Sequence, residues 1–217
     1  MKPRCTKQRN HALTVFEVLV ILSVLAILLA VFLPALTYHR GGQRINCVNN
    51  LKQIGLSSRI WSGDNNDKYP FETTVTNGGT MEFNNGRNAW INFFVMSNEL
   101  STPKVLICPQ DTKRQPAATN FSAELVGHIS YFVGLNGNIG SPQSILSGDD
   151  NFETSGIPVK SGLIEISSNT PVSWSAARHQ FAGNIVLADG DVQTFSNSNL
   201  TKWLRQNFSA TNRLAIP

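Results

Sequence analysis

The chain is 217 residues long with 18 basic and 14 acidic side chains, a formal net charge of +4. Four of the bases and none of the acids fall in the first twelve residues, so the remainder carries as many acids as bases, and a nucleic-acid partner gains no support from charge. What remains after one membrane helix is long enough for a single soluble domain with its own core.

Met1–Ala12 is a basic leader with Lys2, Arg4, Lys7 and Arg9 and no acid. Leu13–Tyr38 follows, uncharged from Val18 onward, with Glu17 just ahead of that run and His39 and Arg40 just after it. That length suits a helix crossing roughly 30 Å of hydrocarbon, and the basic leader keeps the N-terminus cytoplasmic. A cleaved secretory signal fits less well, because its apolar region is shorter and ends in a small-residue cleavage site. A carboxylate at the start of a span is costly in lipid, so Glu17 reads as functional.

The run Ala12-Leu13-Thr14-Val15-Phe16-Glu17 and the apolar stretch behind it resemble the N-terminus of type IV pilins and type II secretion pseudopilins. The resemblance implies a cut between Ala12 and Leu13 by the family's membrane-embedded peptidase and methylation of the new amine. It implies assembly roles for Thr14 and Glu17, the carboxylate pairing with the N-terminal amine of a neighbouring subunit. Pro34 falls where many pilins carry a helix-kinking proline. Ala12 and Leu13 depart from the usual Gly and Phe of the family. A plain signal anchor of an unrelated exported protein is the other reading of Leu13–Tyr38.

Residues 39–63 continue the helix in amphipathic form, with Ile45, Val48, Leu51, Ile54 or Gly55, Ile60 and Trp61 at three- and four-residue steps. It should stop near Ser62-Gly63, before the turn-rich stretch 64–70. Cys5 lies in the leader, leaving Cys47 and Cys108 either joined, in a compartment where disulfides persist, or as free buried thiols. A bridge would close a loop of about 60 residues and stabilise by around 4 kcal/mol. Two cysteines with no CxxC pair and no nearby His do not make a metal site.

Residues 47–56, continuing to Asp64, Asn65, Tyr69 and Pro70, resemble the helix end and first loop of a pseudopilin-like group abundant in planctomycetes. That group also carries a Cys-Pro-x-Asp element, here Cys108-Pro109-Gln110-Asp111, and a His followed after nine residues by Asp-Gly, here His179 and Asp189-Gly190. Residues 88–100 read as a short helix or buried irregular segment, and 105–107 and 129–133 as strands. Residues 134–162 read as a long loop, with one helical turn at 142–146. Strands are expected at 163–166, 172–174, 184–188 and 192–195, the last two joined by a two-residue type I′ turn at Asp189-Gly190. A closing helix is expected over 199–208.

His179, Cys108, Asp111 and Asp189 can be arranged on paper as a nucleophile with its partners. Cys108 is better used in a bridge and Asp189 in the turn, and His179, beside Arg178, reads as a hydrogen-bonded structural histidine. No catalytic residue and no enzymatic activity are expected. Calcium enters through the resemblance, since major pseudopilins bind it in a C-terminal loop and Ca²⁺ wants roughly six to eight oxygens. Asp149, Asp150 and Glu153 are candidate ligands, yet neither they nor residues 64–67 have the spacing of a dedicated loop, so both read first as solvated loop, with no metal expected and calcium as the alternative.

The expected fold is α+β and pilin-like: a long N-terminal helix, its first half spanning the membrane, its second packed on a small antiparallel sheet in a head over 64–217. The expected function is that of a prepilin-type structural subunit of a type II secretion or type IV pilus-like fibre, single-pass in the inner membrane with a periplasmic head. Its partners would be the prepilin peptidase, other pilin-like subunits, the assembly platform and membrane lipid. The alternative is a membrane-tethered binding or hydrolytic domain that uses a pilin-like leader as anchor.

Overall fold

An apolar run followed by an amphipathic one yields one helix, α1, over Val15–Asp64. The computed structural model describes residues 14–84, 87–207 and 211–217, with the backbone alone across 33–41. Two compact units make up the chain, one ending at Gly42 and the other running Gln43–Pro217.

In the first unit, Val15–Phe32 is long and apolar enough to cross a membrane. Its side chains are uncovered on every side, as Phe16, Leu19 and Ile27 show; a helix apolar all round belongs in lipid or in a core of other helices. Ala12 and Leu13 lie outside the described residues. So does the side chain of Pro34, whose position falls within α1.

In the second unit, α1 buries Cys47, Leu51, Ile54, Ser58 and Trp61, a stripe at helical spacing. Ile45 and Ile60, expected on that stripe, are exposed, because they lie off the 47-51-54-58-61 line. Serines take part of the buried face: Ser57 donates to Glu99 O at 3.0 Å and Ser58 to Ile54 O at 2.8 Å. Two short helices follow, α2 (Ala89–Val95) and α3 (Ser97–Leu100).

The main sheet contains β1 (Tyr131–Gly134), β2 (Ile145–Asp149), β5 (Gly162–Ile166), β7 (Ala182–Leu187), β8 (Val192–Ser196) and β9 (Asn212–Ile216), in the order β5-β9-β1-β2-β7-β8. Every pair in it is antiparallel. A smaller sheet, β4-β3-β6, is made of β3 (Phe152–Thr154), β4 (Ile157–Pro158) and β6 (Val172–Trp174). Alternation sends Tyr131, Val133, Val186 and Ala215 to a core shared with α1. Phe132, Ile185, Leu187, Leu214 and Ile216 face the opposite core, which is closed by Trp174 and by α4 (Asn197–Asn207) through Leu200 and Leu204. The chain is therefore α+β, with antiparallel sheets.

Three expectations are corrected. Residues 105–107 form no strand: Pro103 opens a 3₁₀ turn over Pro103–Leu106, its N-cap Thr102 accepting from Lys104 N. Residues 142–146 are not helical, and 145–149 form the strand β2, central in the sheet and buried throughout. The β7–β8 connection is a three-residue loop: Leu187 N donates to Asp191 O, Gly190 N donates to Leu187 O, and of Asp189 and Gly190 only the glycine has positive φ, at 88°. That is a turn closed by a left-handed glycine rather than a two-residue type I′ turn.

Candidate functional site

Two places concentrate polar chemistry: the start of α1, and a buried cluster under the C-terminal end of β2.

At the start of α1, Thr14 precedes the first helical residue. Its backbone N–H donates to Glu17 Oε2 at 2.7 Å and its hydroxyl donates to the same oxygen at 2.9 Å, while Glu17 N donates back to Thr14 Oγ1 at 3.3 Å. This is a reciprocal capping box, satisfying donors that a helix start otherwise leaves open. The signal, Thr followed three residues later by Glu before an apolar run, stands in the sequence. Both bonds converge on Oε2.

The second place begins at the disulfide joining Cys47 of α1 to Cys108, with Cα atoms 5.3 Å apart. It ties the helix to the loop after the 3₁₀ turn, not to a strand. His179 Nε2 lies 3.5 Å from Cys108 Sγ and 3.5 Å from Asp149 Oδ2. Asp149 Oδ2 accepts from Asn184 N and Nδ2, both at 2.8 Å, and Asn184 Oδ1 accepts from Thr194 at 2.6 Å. The imidazole and both carboxylate oxygens are shut off from solvent. Cys47, Cys108 and His179 place their ligand atoms within 4.8 Å of one another, but with both sulfurs in the disulfide no thiolate is available to a metal or as a nucleophile.

Next to it Arg178 is buried among carboxylates. Its NH1 donates to Ser130 O at 3.0 Å and lies 3.4 Å from Asp111 Oδ2, and its NH2 pairs with Asp150 Oδ1. Arg114 bridges Asp111 Oδ2 at 3.1 Å and Asp150 Oδ2 at 2.6 Å. Burial opposes the charge on Arg178, yet Asp150, Asp149 and Asp111 around it outweigh that cost and raise its pKa, so it stays protonated. Burial likewise pushes Asp111 up, but Arg178, the Ser130 hydroxyl and Arg114 together hold its carboxyl below the ordinary value.

Asp149 and Asp150 are thus buried rather than solvated loop. Asn184 and His179 meet Asp149 at Oδ2 and the two arginines pair with Asp150, while Asp149 Oδ1 is buried without a hydrogen-bond partner, and Glu153 lies on β3. Of the imagined catalytic set, the structure brings His179 to Cys108 and Asp111 to Arg178, while Asp189 is at the far end of β7. Sequence reasoning missed Arg178 as the hub and Asp149 as the imidazole's partner.

The His to Asp-Gly spacing has a geometric meaning. The nine residues between them contain β7, and both ends of that strand meet α1 or its disulfide. At one end, His179 rests against the Cys47–Cys108 bridge. At the other, Asp189 O accepts from Arg59, Gly190 comes close to Gly55, and the Tyr69 hydroxyl donates to Ala188 O at 3.0 Å. Burial, moderated by Arg59, pushes that phenol up to about 12, so it remains a donor. The first end is strained: His179, Gln180 and Phe181 have φ of 55°, 53° and 59°. Three successive left-handed residues cost roughly 1–2 kcal/mol each; they carry His179 inward while leaving Phe181 exposed.

Compared with known proteins, the chain matches no family model, no curated protein and no solved structure.

Proposed function

We propose that the chain is a prepilin-type structural subunit, held in a membrane by α1 and drawn from there into a fibre of a type II secretion or type IV pilus-like apparatus. One observation carries this reading: the capped Thr14–Glu17 pair at the head of an apolar helix whose side chains are exposed among the described residues. A lone carboxylate there calls for a partner. Thr14 fixes Oε2, which leaves Oε1 for a cation brought by a neighbour. After a cut between Ala12 and Leu13, that cation is the amine of Leu13 in the next subunit, and a repeated head-to-tail contact of this kind generates a filament. The disulfide-tied, pilin-like head over the sheet faces the periplasm, and the prepilin peptidase and assembly platform are the partners in processing and export.

The test uses the native host with its apparatus active. Protein from the membrane begins at Leu13, N-methylated, by mass spectrometry. Glu17→Ala leaves a processed chain in the membrane, and sheared fibres lose it almost completely, because removing one member of a buried pair costs about 3–5 kcal/mol. A mature N-terminus beyond Ala35, or wild-type fibre content in Glu17→Ala, overturns the reading.

A further inference from the structure

The Cys47–Cys108 bridge is one of two states open to those sulfurs. Cysteines are made as thiols, and a disulfide persists only where the compartment is oxidising. In the dithiol state the same place holds two sulfurs and an imidazole: Cys47 Sγ, Cys108 Sγ and a ring nitrogen of His179 lie within 4.8 Å of one another, and all three residues are buried. No spacing in the sequence announces this, since 71 positions separate His179 from Cys108. Hydrogen bonds that owe nothing to the bridge hold the three residues together. Asn50, one turn beyond Cys47 on α1, donates Nδ2 to Ile107 O at 3.0 Å, next to Cys108. The Cys108 carbonyl accepts from Gln115 Nε2 at 3.4 Å, and Gln110 Oε1 accepts from His179 N at 3.0 Å. Opening the bridge leaves thiols and imidazole side by side, away from water.

We infer that the dithiol form of the chain binds one zinc ion through Cys47, Cys108 and His179, a property independent of the fibre reading. Distance supports it. Zinc bonds of about 2.3 Å to sulfur and about 2.0 Å to nitrogen set tetrahedral neighbours about 3.5 Å apart, and His179 Nε2 stands 3.5 Å from Cys108 Sγ. Asp149 is the nearest group for the fourth position: its Oδ2 is 3.5 Å from the same nitrogen, and its buried Oδ1 has no hydrogen-bond partner. Ligand type selects the metal, because thiolate and imidazole suit zinc whereas magnesium and calcium want oxygen. Charge agrees. Asp111, Asp149 and Asp150 already outnumber Arg114 and Arg178 by one, and Zn²⁺ with two thiolates and a neutral imidazole adds no net charge to that interior. Binding breaks two S–H bonds, forms two Zn–S bonds and one Zn–N bond, and releases two protons to solvent, with no electron transferred. Metal and bridge exclude each other, since each uses both sulfurs.

The experiment takes the full chain with Cys5→Ser, which removes the leader thiol, in phosphatidylcholine nanodiscs whose scaffold protein lacks cysteine and a histidine tag. Half is kept oxidised. The other half is reduced with a water-soluble phosphine, which takes oxygen from water as phosphine oxide while the bridge becomes two thiols, and is desalted without air. Cobalt(II) is the first probe. The reduced chain takes one equivalent and shows a thiolate-to-cobalt charge-transfer band and tetrahedral d–d bands, which zinc bleaches and excess magnesium or calcium does not. The oxidised chain shows neither band. Zinc raises the melting temperature of the reduced chain alone, and His179→Ala, its fold checked in the oxidised form, weakens zinc binding at least about tenfold. Zinc-edge X-ray absorption of the reduced chain, which needs no substitution in the site, shows two sulfur neighbours and imidazole scattering. Absence of cobalt bands from a chain with both thiols titratable overturns the proposal, as do equal bands from the oxidised chain, a zinc shell without sulfur, or unchanged affinity in His179→Ala. A reduced chain with no cooperative transition even in zinc overturns it as well.

Discussion

Arg178 is the residue on which the polar interior turns, because it faces Asp111, Asp149 and Asp150 together. Arg178→Met keeps the volume but leaves those carboxylates short of their main cation, and is expected to cost about 3–5 kcal/mol, read as a fall in the chemical-denaturation midpoint. Asp111 adds a pH dependence whose sign is fixed. Its folded pKa lies below the ordinary 3.8, so its contribution is fully present above that value and is lost as pH falls below it through the depressed pKa. Asp111→Asn lacks this titration. The melting-temperature gap between wild type and Asp111→Asn is therefore wide near about pH 5 and narrows toward about pH 2; a gap that stays constant across that range shows that the carboxylate's charge contributes nothing. At the strained turn, Gln180 is exposed with φ of 53°, and Gln180→Gly is expected to stabilise by up to about 1 kcal/mol. Scanning calorimetry showing a lower melting temperature would locate a contact of the Gln180 side chain that offsets the strain.

Between elements, α1 is fastened to the β7–β8 hairpin by close backbone approach and to the loop after the 3₁₀ turn by a covalent bond. A Cβ at Gly55 would lie 2.7 Å from Val186 Cγ2 and 3.6 Å from Gly190 Cα, so Gly55→Val must push helix and hairpin apart, at about 1–3 kcal/mol. Loss of the bridge in Cys108→Ser is expected to cost about 2–5 kcal/mol and several degrees of melting temperature. The same thermal scan checks both: two unchanged transitions would mean that α1 is not fastened at these points. How far this was legible follows from the residues. The helix was plain because its apolar run is long and its second half keeps a 3.6-residue period. β5 through β8 and α4 were visible by β-branched content, turn residues or helical spacing. β2 was hidden because Ser147, Gly148 and Asp149 read as loop, whereas the sheet needs Gly148 there: a Cβ would meet Asn184 O and the Phe132 ring, both at 2.8 Å. β9, with Asn212 and Arg213 ahead of only three apolar residues, carried no alternation long enough to be noticed. In the buried cluster, His179 could be singled out, but Asp149 lies 30 positions away in sequence and only the pairing of β2 with β7 brings the two elements together.

At the scale of the whole chain, the two units answer to different solvents. The first exposes apolar side chains along Val15–Phe32, which water penalises at about 25 cal/mol per Å², so the full chain is expected to partition into membranes. The second, Gln43–Pro217, holds both hydrophobic clusters, the disulfide and the buried ion pairs, all that a domain of its size needs to fold alone. Gln43–Pro217, exported behind a cleavable signal, is expected to accumulate as a soluble, disulfide-bonded protein with one cooperative thermal transition. The full chain should stay with the membrane pellet after alkaline carbonate. The fragment contains as many acids as bases, so it has no net charge to keep copies apart near neutral pH. Its solubility should accordingly be lowest there and rise on either side. An aggregated fragment at every pH, or a broad multi-step transition, would mean that the residues before Gln43 are part of the head's fold and that Gly42 is not where the soluble domain begins.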